Sequence, residues 1–158
     1  MAKPTHRVYG IHSAEALLRS PQYIIQAFLE KGGAADALAA PLKSAQVPVT
    51  NASRAQLDQM AGGERHQGVV LELKPPQEYH EAQLKDLVVA TAEDLLLLVL
   101  DQVQDPRNLG ACLRAADGAG AHGVVVPKDR AARLTPVVAK TASGAAYTVP
   151  VSYTHLRA

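Results

Sequence analysis

Residues Leu95 to Leu100 read LLLLVL, an unbroken aliphatic run followed at once by the polar, proline-bearing stretch DQVQDPRN. A run without polar alternation is the pattern of a strand covered on both faces, and such strands belong to parallel sheets flanked by helices. It is far shorter than the roughly 20 apolar residues of a membrane-spanning helix. The segments after it alternate: a helix from about Leu109, a strand from Gly123 to Val126, a helix with Thr135 as N-cap and Pro136 at its first position, and a strand from Tyr147 to Val151. This β-α-β-α-β order implies right-handed crossovers and a parallel sheet, so the chain is expected to be α/β.

The residues before the run form a second, separate pattern. Strands are expected at Val8 to Ile11, Tyr23 to Leu29, Val47 to Thr50 and Gln67 to Lys74. Between them, Ser13 is expected to cap a helix through Arg19, and a helix covers part of Ala34 to Gln46, with Pro41 near its start. Ser53-Arg54-Ala55-Gln56 has the spacing of a capping box and opens a helix to about Met60. Pro75-Pro76 and the polar stretch behind them stiffen and expose the chain, so the boundary between two domains is placed there. The expected division is 1–75 for the first domain, 76–93 for a linker and 94–151 for the second.

Composition narrows the chemistry. Hydrophobic residues make up 47% and charged residues 20% of the 158 positions, which is ordinary for a globular protein. The N-terminus lacks an apolar leader and a single cysteine, Cys112, cannot form an internal disulfide, so a cytoplasmic protein is expected, with no membrane partner. Sixteen basic against fifteen acidic residues give a net charge of +1, so nucleic-acid binding would have to come from local patches. Lys3, His6, Arg7, His12 and Arg19 make one such cluster. The six histidines show no metal-ligand spacing, and no metal is expected.

In open α/β sheets the ligand crevice lies beyond the carboxyl ends of the strands, which is where Asp101 to Asn108 falls. Asn108 is a good N-cap for a helix starting at Leu109, and Arg114 lies along a stripe with Ala111 and Gly118, away from Leu109, Leu113 and Ala116. Spacing alone fits two readings equally: a site for an anion, or a capping asparagine with a solvated arginine. Gly118-Ala119-Gly120-Ala121-His122-Gly123 matches G-x-G-x-x-G in letters, but it follows a helix and enters a strand, the reverse of a dinucleotide fingerprint. Its glycines are expected to end the helix instead.

The stretch LVLDQVQDPRNLGACLRAADGAGAHGVVVPKDR resembles the first signature motif of the SpoU-type RNA ribose 2′-O-methyltransferases, of the SPOUT superfamily of knotted enzymes. VYGIHSAEALL and HQGVVLELKP resemble the family's N-terminal substrate-binding domain, which has the fold of ribosomal protein L30e. The likeness is strongest to the bacterial enzymes that methylate a guanosine ribose in large-subunit ribosomal RNA.

The resemblance implies an L30e-like α/β domain followed by the first half of a SPOUT methyltransferase domain, S-adenosylmethionine as methyl donor, ribosomal RNA as substrate, and a homodimer in the full-length protein. It also implies that Asn108 and Arg114 are the catalytic residues; Arg7, His12 and Arg107 are the cations expected on the RNA. A guanidinium keeps its proton to a pKa above about 12, so Arg114 is expected to grip a phosphate and acidify the ribose hydroxyl rather than remove its proton.

Members of this family continue past GAAYTVPV into a G-x-E-G-x-G turn and a Ser-Leu-Asn segment, which form the knot and the donor pocket. Neither is present, so the knot-forming part and all donor-binding residues are expected to be missing. Native sequence is expected to stop near Val151, with 152–158 a foreign tail, and the fragment to be inactive by itself. The alternatives weighed are a non-catalytic L30e-like RNA-binding module and a nicotinamide-type dinucleotide enzyme. The reversed glycine motif counts against the second of these.

Overall fold

The computed structural model describes residues 6–92 and 94–155; Lys3 and the last three residues of the expected tail lie outside them. The chain divides into two compact units, Met1–Pro75 and Pro76–Ala158.

The first unit is built on a four-stranded sheet in the order β1-β4-β2-β3. Its elements are β1 (His6–Tyr9), α1 (Ile11–Leu17), β2 (Ile24–Glu30), a 3-10 turn over Ala34–Leu38 running into α2 (Ala39–Ser44), β3 (Val49–Ala52), α3 (Arg54–Ala61) and β4 (Val69–Leu73). β4 runs antiparallel to both β1 and β2, whereas β3 joins β2 in parallel. Central placement explains its composition: Val69, Val70, Leu71 and Leu73 are all buried, so the strand reads as nearly continuous aliphatic sequence.

α3 forms as its capping box requires. Ser53 Oγ accepts from the Gln56 N–H, Gln56 Oε1 accepts from the Ser53 N–H, and Gly62 ends the helix in a left-handed conformation at φ 59°. Pro41 occupies the first turn of α2, where no intrahelical N–H is lost. The expected cap of α1 is corrected. Gly10, at φ 93°, is the N-cap, Ser13 lies inside the helix, and the Ile11 N–H is satisfied by Gln67 Oε1 at 3.1 Å, from 56 residues further along the chain.

The second unit holds an all-parallel sheet in the order β5-β8-β7-β6. Its strands are β5 (Glu78–Tyr79), β6 (Leu97–Val99), β7 (Gly123–Pro127) and β8 (Val151–Thr154), and its helices α4 (Glu81–Ala90), α5 (Pro106–Gly118), α6 (Pro136–Thr141) and α7 (Ala145–Thr148). The strand covered on both faces is β7, where Gly123 to Val126 are all buried. β6 instead takes the sheet edge, and Leu96 and Val99 are exposed at 49% and 57%. An aliphatic run therefore identified a strand correctly and its place in the sheet incorrectly, because strand order is set by long-range pairing.

Two further expectations meet a different structure. Residues 76–93, read as a linker, carry β5 and α4, and β5 pairs with β8. The strand expected from Tyr147 is displaced: Ala145–Thr148 is a helical turn, and the strand begins at Val151. β8 also runs through 152–154, in the stretch expected to be foreign. There the Tyr153 hydroxyl donates to Ala132 O at 2.8 Å, while the Ser152 hydroxyl is buried without a hydrogen-bond partner among the described residues. Such an orphaned group costs about 1–3 kcal/mol.

Candidate functional site

α5 carries the residues for which chemistry was expected. It starts one turn earlier than the leucine pattern suggests: Pro106 is its first residue, and Asp105 is the N-cap, its Oδ1 accepting from the N–H groups of Arg107 at 2.8 Å and Asn108 at 3.0 Å. The N-cap role expected for Asn108 is thereby corrected, since a proline at the first helical position makes the residue before it the cap. The Asn108 side chain is left exposed, with no hydrogen bond to any described residue.

Three packing devices fix the azimuth of this helix. Leu109, Leu113 and Ala116 are buried, as their spacing implies. Gly110 allows α6 to approach so closely that a Cβ added there would lie 2.6 Å from Thr141 Cβ and 3.0 Å from Val138 O. At the far end, Thr148 Oγ1 donates to Asp117 Oδ1 at 2.9 Å, pinning α5 to α7. The loop before the helix is held too, because the Ala132 N–H donates to Val103 O at 2.9 Å.

With that face committed, the opposite face is free for a ligand. Arg107 and Arg114 are both exposed, and neither guanidinium forms an ion pair or hydrogen bond with a described residue. Seven residues apart, they lie on one face, separated along the axis by about 10 Å, with Ala111 between them. Small residues leave both long side chains room to converge on one anion or on two neighbouring ones. Asn108 is offset around the helix from that stripe by roughly 100° on the Arg107 side. Among the described residues no group of three or more His, Cys, Asp or Glu side chains could hold a metal ion.

The cations expected in the first unit behave differently. Arg7 is tied down: its Nε and NH2 donate to Glu72 Oε1 at 3.1 and 2.8 Å, and its NH1 donates to Met60 O at 3.3 Å. β1 and β4 set Arg7 directly opposite Glu72, so this ion pair follows from strand register. His12 is 94% exposed and sits 3.3 Å from Glu15 on the outside of α1. His6 is buried, and burial lowers its pKa below the ordinary 6.5 by disfavouring the charged ring.

Comparison with known proteins fits both units. Residues 7–79 match the family model for RNA 2′-O ribose methyltransferase substrate binding, and residues 95–158 match that for the SpoU rRNA methylase family. The chain belongs to the SpoU family. It is 46% identical over 149 residues to a 23S rRNA (guanosine-2′-O-)-methyltransferase RlmB of Pseudomonas putida, covering 92% of this chain and 60% of that protein. The RlmB of Escherichia coli K12 is 45% identical over 148 residues, covering 91% of this chain and again 60% of the relative. The chain thus spans about three-fifths of the length of the SpoU relatives it matches.

Solved methyltransferase structures share the fold. An AdoMet-bound rRNA methyltransferase from Sinorhizobium meliloti aligns with a TM-score of 0.64 at 18% identity, over 96% of this chain and 54% of its own. The SpoU methyltransferase AviRb from Streptomyces viridochromogenes aligns with a TM-score of 0.62 at 20% identity, over 96% and 54%. No helix among the described residues is long and apolar enough to cross a membrane.

Proposed function

We propose that this chain supplies the substrate-recognising unit and the acceptor side of a cytoplasmic RNA methyltransferase. The enzyme transfers a methyl group from S-adenosylmethionine to a ribose 2′-OH of large-subunit ribosomal RNA, and works as a homodimer in the full-length protein. The observation that carries this reading is the exposed Arg107 and Arg114 pair on a helix whose other face is locked into the unit. The names of the curated relatives supply the reaction, and the AdoMet-bound neighbour supplies the donor.

On this reading Arg114 holds the phosphate next to the target ribose. A fixed positive charge beside the hydroxyl stabilises negative charge developing on its oxygen and lowers the barrier without accepting a proton. Arg107 binds the adjoining phosphate and fixes the register of the strand. Asn108, held by the cap at Asp105, has a free amide that can donate to the reacting oxygen or accept the hydroxyl proton's hydrogen bond. Acting on a 2′-OH makes RNA rather than DNA the substrate. Arg7 and His12 contribute to RNA binding at most weakly, since Arg7 is already paired with Glu72.

The test is transfer of a radiolabelled methyl group to ribosomal RNA, with this chain alone and with the chain joined to the C-terminal part of an RlmB relative. Activity is expected in the joined form, and Arg114→Ala should reduce it by 100-fold or more, the size typical of losing one oxyanion-stabilising group, with RNA binding changed far less. Full activity of Arg114→Ala would refute its role. RNA binding without transfer in the joined form would favour the non-catalytic RNA-binding module.

A further inference from the structure

Glu78, in the segment whose sequence suggested a linker, holds two groups at once. Its Oε2 accepts from Arg133 NH1 at 3.2 Å and its Oε1 accepts from the Leu134 N–H at 3.4 Å. The carboxylate projects from a paired strand, because Glu78 is in register with Val151 of β8. A partly exposed ion pair taken alone contributes little to stability. What sets this one apart is the main-chain bond beside it and the segment it grips.

The neighbours of Arg133 are tethered as well. The Ala132 N–H donates to Val103 O at 2.9 Å, and the Ala132 carbonyl accepts from the Tyr153 hydroxyl at 2.8 Å. The Arg133 guanidinium lies over the Tyr153 ring, 4.5 Å from its centroid. Thr135 then caps α6, the helix that packs against Gly110 of α5. Residues 132–135 thus join β5 and β8 on one side to α6 and the loop before α5 on the other.

Strain in the two joined loops makes that link matter. Gln102, beside Val103, sits at φ 55°, and Arg130, two residues before Ala132, sits at φ 57°. A residue with a Cβ adopts this region at an energetic cost and keeps it only where surrounding contacts outweigh that cost. Val103 stands two residues ahead of Asp105, whose carboxylate orders the N–H groups of Arg107 and Asn108. A shift at Ala132 therefore reaches the first turn of α5 through one short loop.

We propose that Glu78 is a positioning residue for the site on α5. By gripping Arg133 and Leu134 it fixes the loop that delivers the Asp105 cap, and so sets the pose of Arg107 and Asn108. The inference rests on the methyltransferase reading above and adds to it a residue that acts only through others.

Hydrogen–deuterium exchange of the intact chain, followed by NMR, reads this brace directly. In Glu78→Ala the amides of Ala132, Arg107 and Asn108 should exchange about tenfold faster, while those of Val124 to Val126 in β7 keep their rates. An ion pair that merely stabilises the unit would instead lower the melting temperature and speed the β7 amides as well. Lys85→Ala, which breaks the exposed pair with Glu81 on α4 of the same unit, should change none of these rates. Unchanged exchange in Glu78→Ala, or equal acceleration of the β7 amides, overturns the proposal.

Kinetics link the brace to the chemistry. In the form joined to the C-terminal part of an RlmB relative, Glu78→Ala should lower kcat about tenfold with KM for the RNA within about twofold. Arg133→Ala should do the same, and the double variant should lose no more than either alone. A rate that Glu78→Ala leaves unchanged overturns the role of Glu78 alone, whereas no transfer by the unsubstituted joined form overturns the reaction and that role together.

Discussion

The two units solve the problem of covering a four-stranded sheet with unequal success. In the first, Ile25 is the one large apolar side chain that stands exposed among the described residues, and it lies where β2 slips register against β4. In the second, Val88, Val89, Leu96, Val99 and Val137 are all exposed, Val89 at 85%. The difference follows from topology. A mixed sheet with its most aliphatic strand in the middle surrounds that strand with neighbours, whereas an all-parallel sheet of short strands needs helices on both faces and leaves the edge strand β6 half open. A self-contained core therefore belongs to the first unit, while tight packing in the second is concentrated around α5.

The largest effect expected from this contrast separates Leu71 and Val99. Leu71→Ala removes a fully buried side chain from the central β4 and should cost 2–5 kcal/mol, at about the ordinary scale for core truncation. Val99→Ala on exposed β6 should cost under about 1 kcal/mol. Urea unfolding of both variants checks this, and equal losses would erase the distinction between the sheets.

A medium effect tests where the second unit is tight. Gly110→Ala must push α6 away from α5 and should cost about 1–3 kcal/mol. It should also lower methyl transfer by turning Arg114 out of place, with Gly110→Ala/Thr141→Gly, which removes the clashing Cβ, recovering part of both losses. If Gly110→Ala is neutral in melting and in transfer, α5 is not held by that contact.

The smallest effect is a dependence on pH confined to the first unit. Burial lowers the pKa of folded His6, whereas the unfolded imidazole takes a proton near 6.5. The unfolded chain therefore binds more protons as pH falls below about 6.5, so stability is complete above that value and declines below it, until the folded ring also titrates. Replacing His6 with Asn should flatten the difference in melting temperature between pH 7 and pH 5, and an unchanged difference would assign the acid sensitivity to other groups.

What could be read from sequence was local. The Ser53 and Gln56 box, the Thr135-Pro136 start and the buried stripe of Leu109, Leu113 and Ala116 each depend on neighbours within a turn or two, and each appears in the structure. The cap at Asp105 was also within reach, because Pro106 at the first helical position marks it, but the leucine periodicity drew the helix start to Leu109. Other features depend on residues far apart in the chain. Nothing near Gly10 announces that Gln67 will close α1, nothing near Arg7 announces Glu72, and nothing in LLLLVL tells an edge from a centre. Of the residues singled out for chemistry, Arg107, Asn108 and Arg114 stand free on a braced helix, whereas Arg7 is occupied by a cross-strand partner that only the sheet register reveals.

One consequence follows from the pairing of β1 with β4, in which His6 faces Leu73. The first unit therefore begins and ends on neighbouring strands, with the entry of β1 beside the exit of β4. Such an arrangement can be grafted into a loop of an unrelated scaffold, or have its ends rejoined and reopened elsewhere, without tearing any strand from its sheet.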